Sequence, residues 1–206
     1  MIFDLTHSVT DKMLTYPGDP IVSIASTASE DNLYNVSAIM MGTHSGTHVD
    51  LPLHCIKGGE GAGTAALNRF FGDAVVIRVP FSQTQPIDLS KVDLSMVKSG
   101  DILLIASGWD EFFGQAEFFT RNVGFADGTG ELLKILEIKA LGTDLPSVDV
   151  PGNGAVNHLS LLSNGIIIFE ALKGLCMLEG KRVTFYGVPL KIISGDGSPI
   201  RAFATD

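Results

Sequence analysis

The stretch Asp73-Ala74-Val75-Val76-Ile77-Arg78-Val79 decides the fold class. It is a nearly continuous apolar run, the pattern of a strand covered on both faces. Asp101-Ile102-Leu103-Leu104-Ile105-Ala106 repeats the pattern. Between them Val92 to Lys98 reads as a short helix, with Ser90 or Asp93 as its cap. Glu131 to Ile138 reads as a helix that is apolar at Leu132, Leu133, Ile135 and Leu136. Ala140-Leu141-Gly142-Thr143 then leads into Asp144, a polar residue at a strand end. Apolar strands alternating with helices predict a mixed α/β core. Upstream, Ile2 to Thr6, Ile21 to Ala25 and Leu33 to Met41 read as strands, and Tyr16-Pro17-Gly18-Asp19-Pro20 as a rigid turn. An aromatic beside such a turn is either a pocket wall or a staple on the core.

The composition bounds the class of protein. At 206 residues the chain is expected to form one domain, residues 1–206, and 45% hydrophobic with 18% charged residues describes a globular chain. No apolar run reaches the ~18 residues of a membrane span. Met1-Ile2-Phe3-Asp4-Leu5 lacks the basic start of a signal peptide. A formal charge of −9 without a Lys/Arg cluster argues against nucleic acid or an anionic membrane as partner. Cys55 and Cys176 show no CxxC spacing and read as small buried hydrophobes in a reducing cytoplasm. Cys55 adjoins His54, but strand alternation turns it away from the face that carries the histidines. The surplus of apolar residues points to burial between subunits of a homo-oligomer.

Chemistry concentrates in His44-Ser45-Gly46-Thr47-His48-Val49-Asp50-Leu51-Pro52-Leu53-His54, which holds three of the five histidines. Imidazole nitrogens and a carboxylate suit Zn²⁺, Mn²⁺ or Fe²⁺. In a straight strand His44 and His48 would stand roughly 13 Å apart, too far to share one ion. A helix would bring them together, yet Gly46, Val49 and Pro52 disfavour one. A bend at Ser45-Gly46-Thr47 is therefore required, with glycine supplying the conformation. His48 and Asp50 then face one ion from an extended segment.

Such an ion keeps open positions, and the candidates to fill them come late. His158 opens a predicted helix in Asn157-His158-Leu159-Ser160-Leu161-Leu162. Glu170 ends the apolar run Ile166-Ile167-Ile168-Phe169, where a carboxylate is costly to bury unless paired or metal-bound. Its other reading is an acid at the N-terminus of a helix over Ala171 to Leu178. Lys57-Gly58-Gly59-Glu60-Gly61-Ala62-Gly63-Thr64 superficially resembles a phosphate loop, but no Lys follows its last glycine, which argues against a nucleotide cofactor. It reads as a mobile loop near the site, followed by a short helix through Leu67, Phe70 and Phe71. With Tyr16 and Trp109, this loop is expected to shape the pocket.

These residues resemble the cyclase-like metal hydrolases that include bacterial kynurenine formamidase and isatin hydrolase. The motif His44-x-Gly46-Thr47-His48-x-Asp50-x-Pro52-x-His54 carries the likeness. It extends through Tyr16-Pro17-Gly18-Asp19, Gly100-Asp101, Gly108-Trp109, Gly142-Thr143-Asp144, His158, Glu170, Pro189-Leu190 and Gly197-Ser198-Pro199-Ile200-Arg201. The resemblance implies a swivelling β/β/α fold with a mixed or barrel-like sheet, and assembly as a homodimer or homotetramer. It implies one or two Zn²⁺ ions per subunit, with Mn²⁺ as the alternative. His44, His48 and Asp50 would hold the first ion, Asp50 would bridge to a second held by His158 and Glu170, His54 would be the acid/base, and Tyr16 would line the substrate pocket. The formamidases usually carry Trp at the position of Tyr16, which bears on the substrate and leaves the metal chemistry untouched.

The expected activity is hydrolysis of the C–N bond of a small amide by metal-activated water, with the aryl formamide N-formylkynurenine as leading substrate. A cyclic amide, imide or lactone is the second substrate class. A non-catalytic metal-binding oligomer is the reading from another class, against which the presence of His54 counts. No G-x-S-x-G elbow offers a serine nucleophile.

Overall fold

A computed structural model describes residues 1–28, 33–82 and 84–206. In chain order the strands are β1 (Ile2–Asp4), β2 (Ser23–Ala28), β3 (Asn35–Met40), β4 (His48–Asp50), β5 (Phe71–Arg78), β6 (Ile102–Ala106), β7 (Ala140–Thr143), β8 (Ile167–Glu170), β9 (Arg182–Tyr186), β10 (Gly197–Pro199) and β11 (Phe203–Thr205). The helices are short: α1 (Ala116–Thr120), α2 (Thr129–Ile135) and α3 (Val156–Ser163). Nine strands form one mixed sheet in the order β1-β11-β9-β5-β6-β7-β8-β4-β10, while β2 and β3 pair apart from it.

The centre of the sheet, β5-β6-β7-β8, is parallel. Alternate residues of these strands feed two separate cores. Val76, Leu104, Ala140 and Phe169 enter one, with Leu51, Leu175 and Phe185. Val75, Leu103, Leu141 and Ile168 enter the other, with Phe118 of α1, Leu133 of α2 and Leu161 of α3. Burial on both faces explains why these strands are apolar without alternation. Arg182 holds both oxygens of buried Asp101, at 2.8 and 2.7 Å, and ties β9 to the start of β6.

The class is mixed α/β as expected, but several local assignments are corrected. Val92 to Lys98 is not helical: Asp88 caps a single 3₁₀ turn at Leu89–Lys91, Val92 is extended, and Asp93 bonds Ser95 N–H at 2.9 Å. Such local side-chain bonds compete with helix. The helix through Leu67 and Phe71 is a 3₁₀ turn, Leu67–Arg69, because Phe71 already pairs with Tyr186 as the first residue of β5. Ala171 to Leu178 does not continue as a helix from Glu170. Ala171 has φ +50°, its N–H bonds Leu145 O, and the next two amides bond Thr143 O of β7 and Leu5 O, leaving only a 3₁₀ turn at Leu175–Leu178.

The glycine-rich segment is corrected too. Its backbone packs too closely to be a mobile loop: a methyl group at Gly61 would meet Gly195 O at 2.5 Å, and one at Gly63 would meet Ile192 O at 2.8 Å. Ala62 N–H bonds Gly195 O at 2.8 Å. The glycines allow two backbones to touch.

Candidate active site

The bend demanded by the spacing of His44 and His48 is present, with Gly46 at φ +65°. It turns His44 back onto β4, so that His44 Nδ1 lies 2.6 Å from Asp50 Oδ1 and the His44 and His48 rings meet edge to face at 5.1 Å. The bend is anchored by Thr47, whose hydroxyl donates to Ala171 O at 2.6 Å and accepts from His7 N–H. Only His48–Asp50 is strand. Beyond it Pro52–His54 forms a 3₁₀ turn, so His54 is not a further position on a straight ligand strand. The turn brings its ring to 4.0 Å from that of His44 and 5.5 Å from that of His158.

Strand β4 lies antiparallel to β8, with His48 opposite Glu170 and Asp50 opposite Ile168. Glu170 Oε2 is consequently 3.5 Å from His48 Nε2, and Glu170 Oε1 accepts from Val148 N–H at 2.8 Å. His158 projects from α3 with Nε2 3.4 Å from both Asp50 Oδ2 and Glu170 Oε1. Two donor groups joined by Asp50 result, His44/His48/Asp50 and Asp50/His158/Glu170, and a third, His44/His54/Asp196, adjoins them on the solvent side; the ligand atoms of each lie within 4.8 Å of one another. Tyr16 lines the cavity above them and meets Phe119 edge to face at 6.0 Å.

Burial alone would lower the pKa of the buried imidazoles, but adjacent carboxylates reverse this. His48 is raised by Asp50 and Glu170, and His158 by Asp149, Asp50 and Glu170. Asp50 stays well below the usual carboxylate range despite its burial, held there by the surrounding imidazoles. Among the described residues its buried Oδ2 receives no hydrogen bond, with His158 Nε2 standing off at 3.4 Å. Buried acids that need positive charge, and one orphaned oxygen at their shared centre, suit a divalent cation. The residues fit such an ion.

The second nitrogens of the rings are engaged as well. His48 Nδ1 lies 2.8 Å from Gly46 O, His158 Nδ1 2.6 Å from Asp149 Oδ2, and His44 Nε2 2.9 Å from Asp196 Oδ2. Each ring thereby turns one fixed nitrogen to the centre, the arrangement by which outer carboxylates and carbonyls orient metal-binding imidazoles. Asp149 and Asp196 were not singled out in the sequence. Asp196 sits between Gly195 and Gly197, a turn signal that could have marked it, but nothing local shows which histidine it meets.

The cavity has a volume of about 520 Å³. Its floor is the His/Asp/Glu cluster and one wall is aromatic, formed by Tyr16, Phe113, Phe118 and Phe119. Trp109 does not line it. That ring is buried between Phe81 and Phe112 and donates from Nε1 to Phe118 O at 3.0 Å, so it supports the aromatic wall from behind. Nor does the glycine-rich loop line it. Cys55 is half-buried and burial pushes its thiol up, the opposite of nucleophile activation. Asp144 also lies outside the cavity, where burial pushes its carboxyl up to about 6 against hydrogen bonds from Ser107 and Gly108.

The family model described as "Putative cyclase" matches residues 3–150. An uncharacterised protein of Methanocaldococcus jannaschii is 33% identical over 98% of each chain. A kynurenine formamidase of Erythrobacter litoralis is 31% identical, covering 98% of this chain and 92% of its own length. Among solved structures, an isatin hydrolase bound to the product analogue thioisatinate has a TM-score of 0.86 at 22% identity, covering all of this chain and 92% of that one. At that identity the likeness is one of fold.

Proposed function

Because the chain belongs to the cyclase family, we propose that it is a metal-dependent hydrolase cleaving the C–N bond of a small amide, with an aryl formamide such as N-formylkynurenine as leading substrate. The observation that carries this reading is the pair of donor groups sharing buried Asp50, whose Oδ2 lacks a donor among the described residues. His44, His48 and Asp50 would hold one zinc ion, or manganese as the alternative, and Asp50, His158 and Glu170 would hold a second. Bound there, the ions supply a Lewis acid that polarises the amide carbonyl and makes water acidic enough to attack near neutral pH.

The chain's own residues do the rest. The aromatic wall holds the aryl group, and the buried floor keeps bulk water from the reacting carbonyl. His54, on the solvent side with 32% of its side chain exposed, gives a proton to the departing nitrogen and recovers one from solvent. An imidazole can do both because its ring offers one nitrogen that donates and one that accepts.

One observation favours the second reading, a cyclic amide, imide or lactone. Among the described residues the cavity is lined by Asp19, Asp50, Asp149 and Glu170 and by neither Lys nor Arg, so a substrate carboxylate has no cationic side chain to pair with. A neutral ring carries no such demand. Self-association as a homodimer or homotetramer belongs to the same proposal, supported by exposed Ile21, Leu33, Ile39 and Met40 on and beside the β2–β3 pair. So does a cytoplasmic location, where free Cys55 and Cys176 stay reduced.

The test is a panel of N-formylkynurenine, isatin, a cyclic imide and a lactone, with metal content measured on the same sample. Hydrolysis lost to chelator and restored by Zn²⁺ or Mn²⁺ is the expected result. Protein that holds no metal and gains none on dialysis would overturn the reading, and metal without turnover would leave the non-catalytic one.

A further inference from the structure

We infer that Asp196, seated by the glycine-rich loop, is the positioning residue that fixes the orientation and tautomer of His54. The inference rests on the role of His54 proposed above. Asp196 Oδ2 lies 3.3 Å from His54 Nδ1 and 2.9 Å from His44 Nε2, while Oδ1 accepts from the Thr43 hydroxyl at 2.9 Å. One carboxylate thus spans the histidine that would hold metal and the histidine that would move the proton. Among the described residues, Asp196 is the only polar partner of the His54 ring. That ring is partly exposed, at the last position of a three-residue turn, and packs against the His44 ring at 4.0 Å, a contact that does not choose between its two nitrogens.

Asp196 fixes the ring chemically as well as sterically. An Nδ1–H that donates to this carboxylate leaves Nε2 as the nitrogen that exchanges the proton with substrate. The ring then does not have to change tautomer between taking a proton and giving it.

The glycine-rich loop acquires a purpose from this. Gly61 and Gly63 let its backbone press against Ile192 to Gly195, Ala62 N–H bonds Gly195 O, and Leu51 N–H bonds Asp196 O at 3.1 Å. On the other side a methyl group at Gly197 would meet His44 Cε1 at 2.6 Å. Asp196 is therefore clamped between the loop and the turn that carries the histidines. The loop that superficially resembles a phosphate cradle is a clasp for a carboxylate.

The experiment compares zinc-loaded wild type, Asp196→Asn, His54→Ala and the double variant. Zinc stoichiometry, kcat and KM on the best substrate of the panel, and the ¹⁵N–¹H side-chain spectrum of His54 are measured for each. Asp196→Asn should keep its zinc at saturating metal, lose about 10- to 100-fold in kcat with little change in KM, and lose the single-tautomer signature of His54. The double variant should be no slower than His54→Ala. Thr43→Ala, which removes only the Oδ1 anchor, should move kcat and the spectrum the same way by a smaller amount, and serves if Asp196→Asn does not fold. An unchanged His54 spectrum, losses that multiply in the double variant, or zinc lost at saturating metal would each overturn the inference. The spectrum needs no turnover, so failure of the proposed activity is distinguished from failure of this role.

Discussion

Asp149 Oδ2 lies 2.6 Å from His158 Nδ1, and that contact aims His158 Nε2 at Asp50 and Glu170. Asp149 Oδ1 meanwhile accepts from Asn157 N–H at 2.6 Å, so one buried carboxylate both starts α3 and sets its histidine. Asp149→Ala should weaken zinc binding about 10- to 100-fold. Loss of the bond to Asn157 N–H should cost about 1 to 3 kcal/mol. Competition against a chromophoric chelator and urea unfolding measure the two separately, and unchanged zinc affinity would show that the ring is oriented by something else.

His54→Ala is expected to lower kcat about 10²- to 10⁴-fold while metal content stays at the wild-type level. Activity and elemental analysis on one preparation decide it. Unchanged turnover would remove His54 from the mechanism.

Chelation should destabilise the fold, because Asp50 and Glu170 are buried and, among the described residues, Asp50 Oδ2 lacks a donor. At about 1,000 times Kd a bound ion adds about 4 kcal/mol, roughly ten degrees in Tm for a chain of this size. Asp50→Asn should abolish most of that gain, since Asp50 belongs to both donor groups. Melting curves with EDTA and with zinc that coincide for wild type would count against a metal site.

Tyr16→Ala opens the aromatic wall where Tyr16 meets Phe119. KM for an aryl substrate should rise about tenfold with kcat nearly kept, because the contact is made equally in ground and transition state. A fall confined to kcat would place Tyr16 nearer the reacting atoms than the wall.

His7 is buried and stacked on Phe113 at 3.7 Å between ring centroids, and among the described residues its Nε2 has no hydrogen-bond partner. Burial pushes its pKa down to about 4, with Lys173 lowering it further and Asp110 opposing. The folded chain resists protonation that the unfolded chain accepts near pH ~6.5. Stability from this group is therefore full above about pH 6.5 and is lost as pH falls toward about 4. His7→Phe keeps the stack and removes the titration, so its Tm advantage over wild type should grow by a few degrees between neutral pH and pH ~4.5. A constant difference across that range would assign the acid sensitivity elsewhere.

Much of the architecture was legible locally. The unbroken apolar runs at Val75 and Leu103 reported strands covered on both faces because burial on two sides forbids polar residues at either parity. The spacing of His44 and His48 demanded a bend, since a straight strand cannot bring them to one ion, and Gly46 supplied it. Short helices were less legible: Asp88 and Asp93 divert the backbone into turns where Val92 to Lys98 reads as helix, and strand pairing at Phe71 and the positive φ of Ala171 cut short the other two.

What the sequence by itself determined is the composition of the site: which residues could bind, where the chain had to bend, and that Glu170 was costly where it stood. Tertiary structure alone decided the rest. Glu170 faces His48 because β4 and β8 pair in one antiparallel register across more than a hundred intervening residues. Asp149 and Asp196 reach His158, His44 and His54 through packing of a loop and a clasp. Register and backbone contact of this kind are set by the summed burial of both cores, which no local pattern encodes.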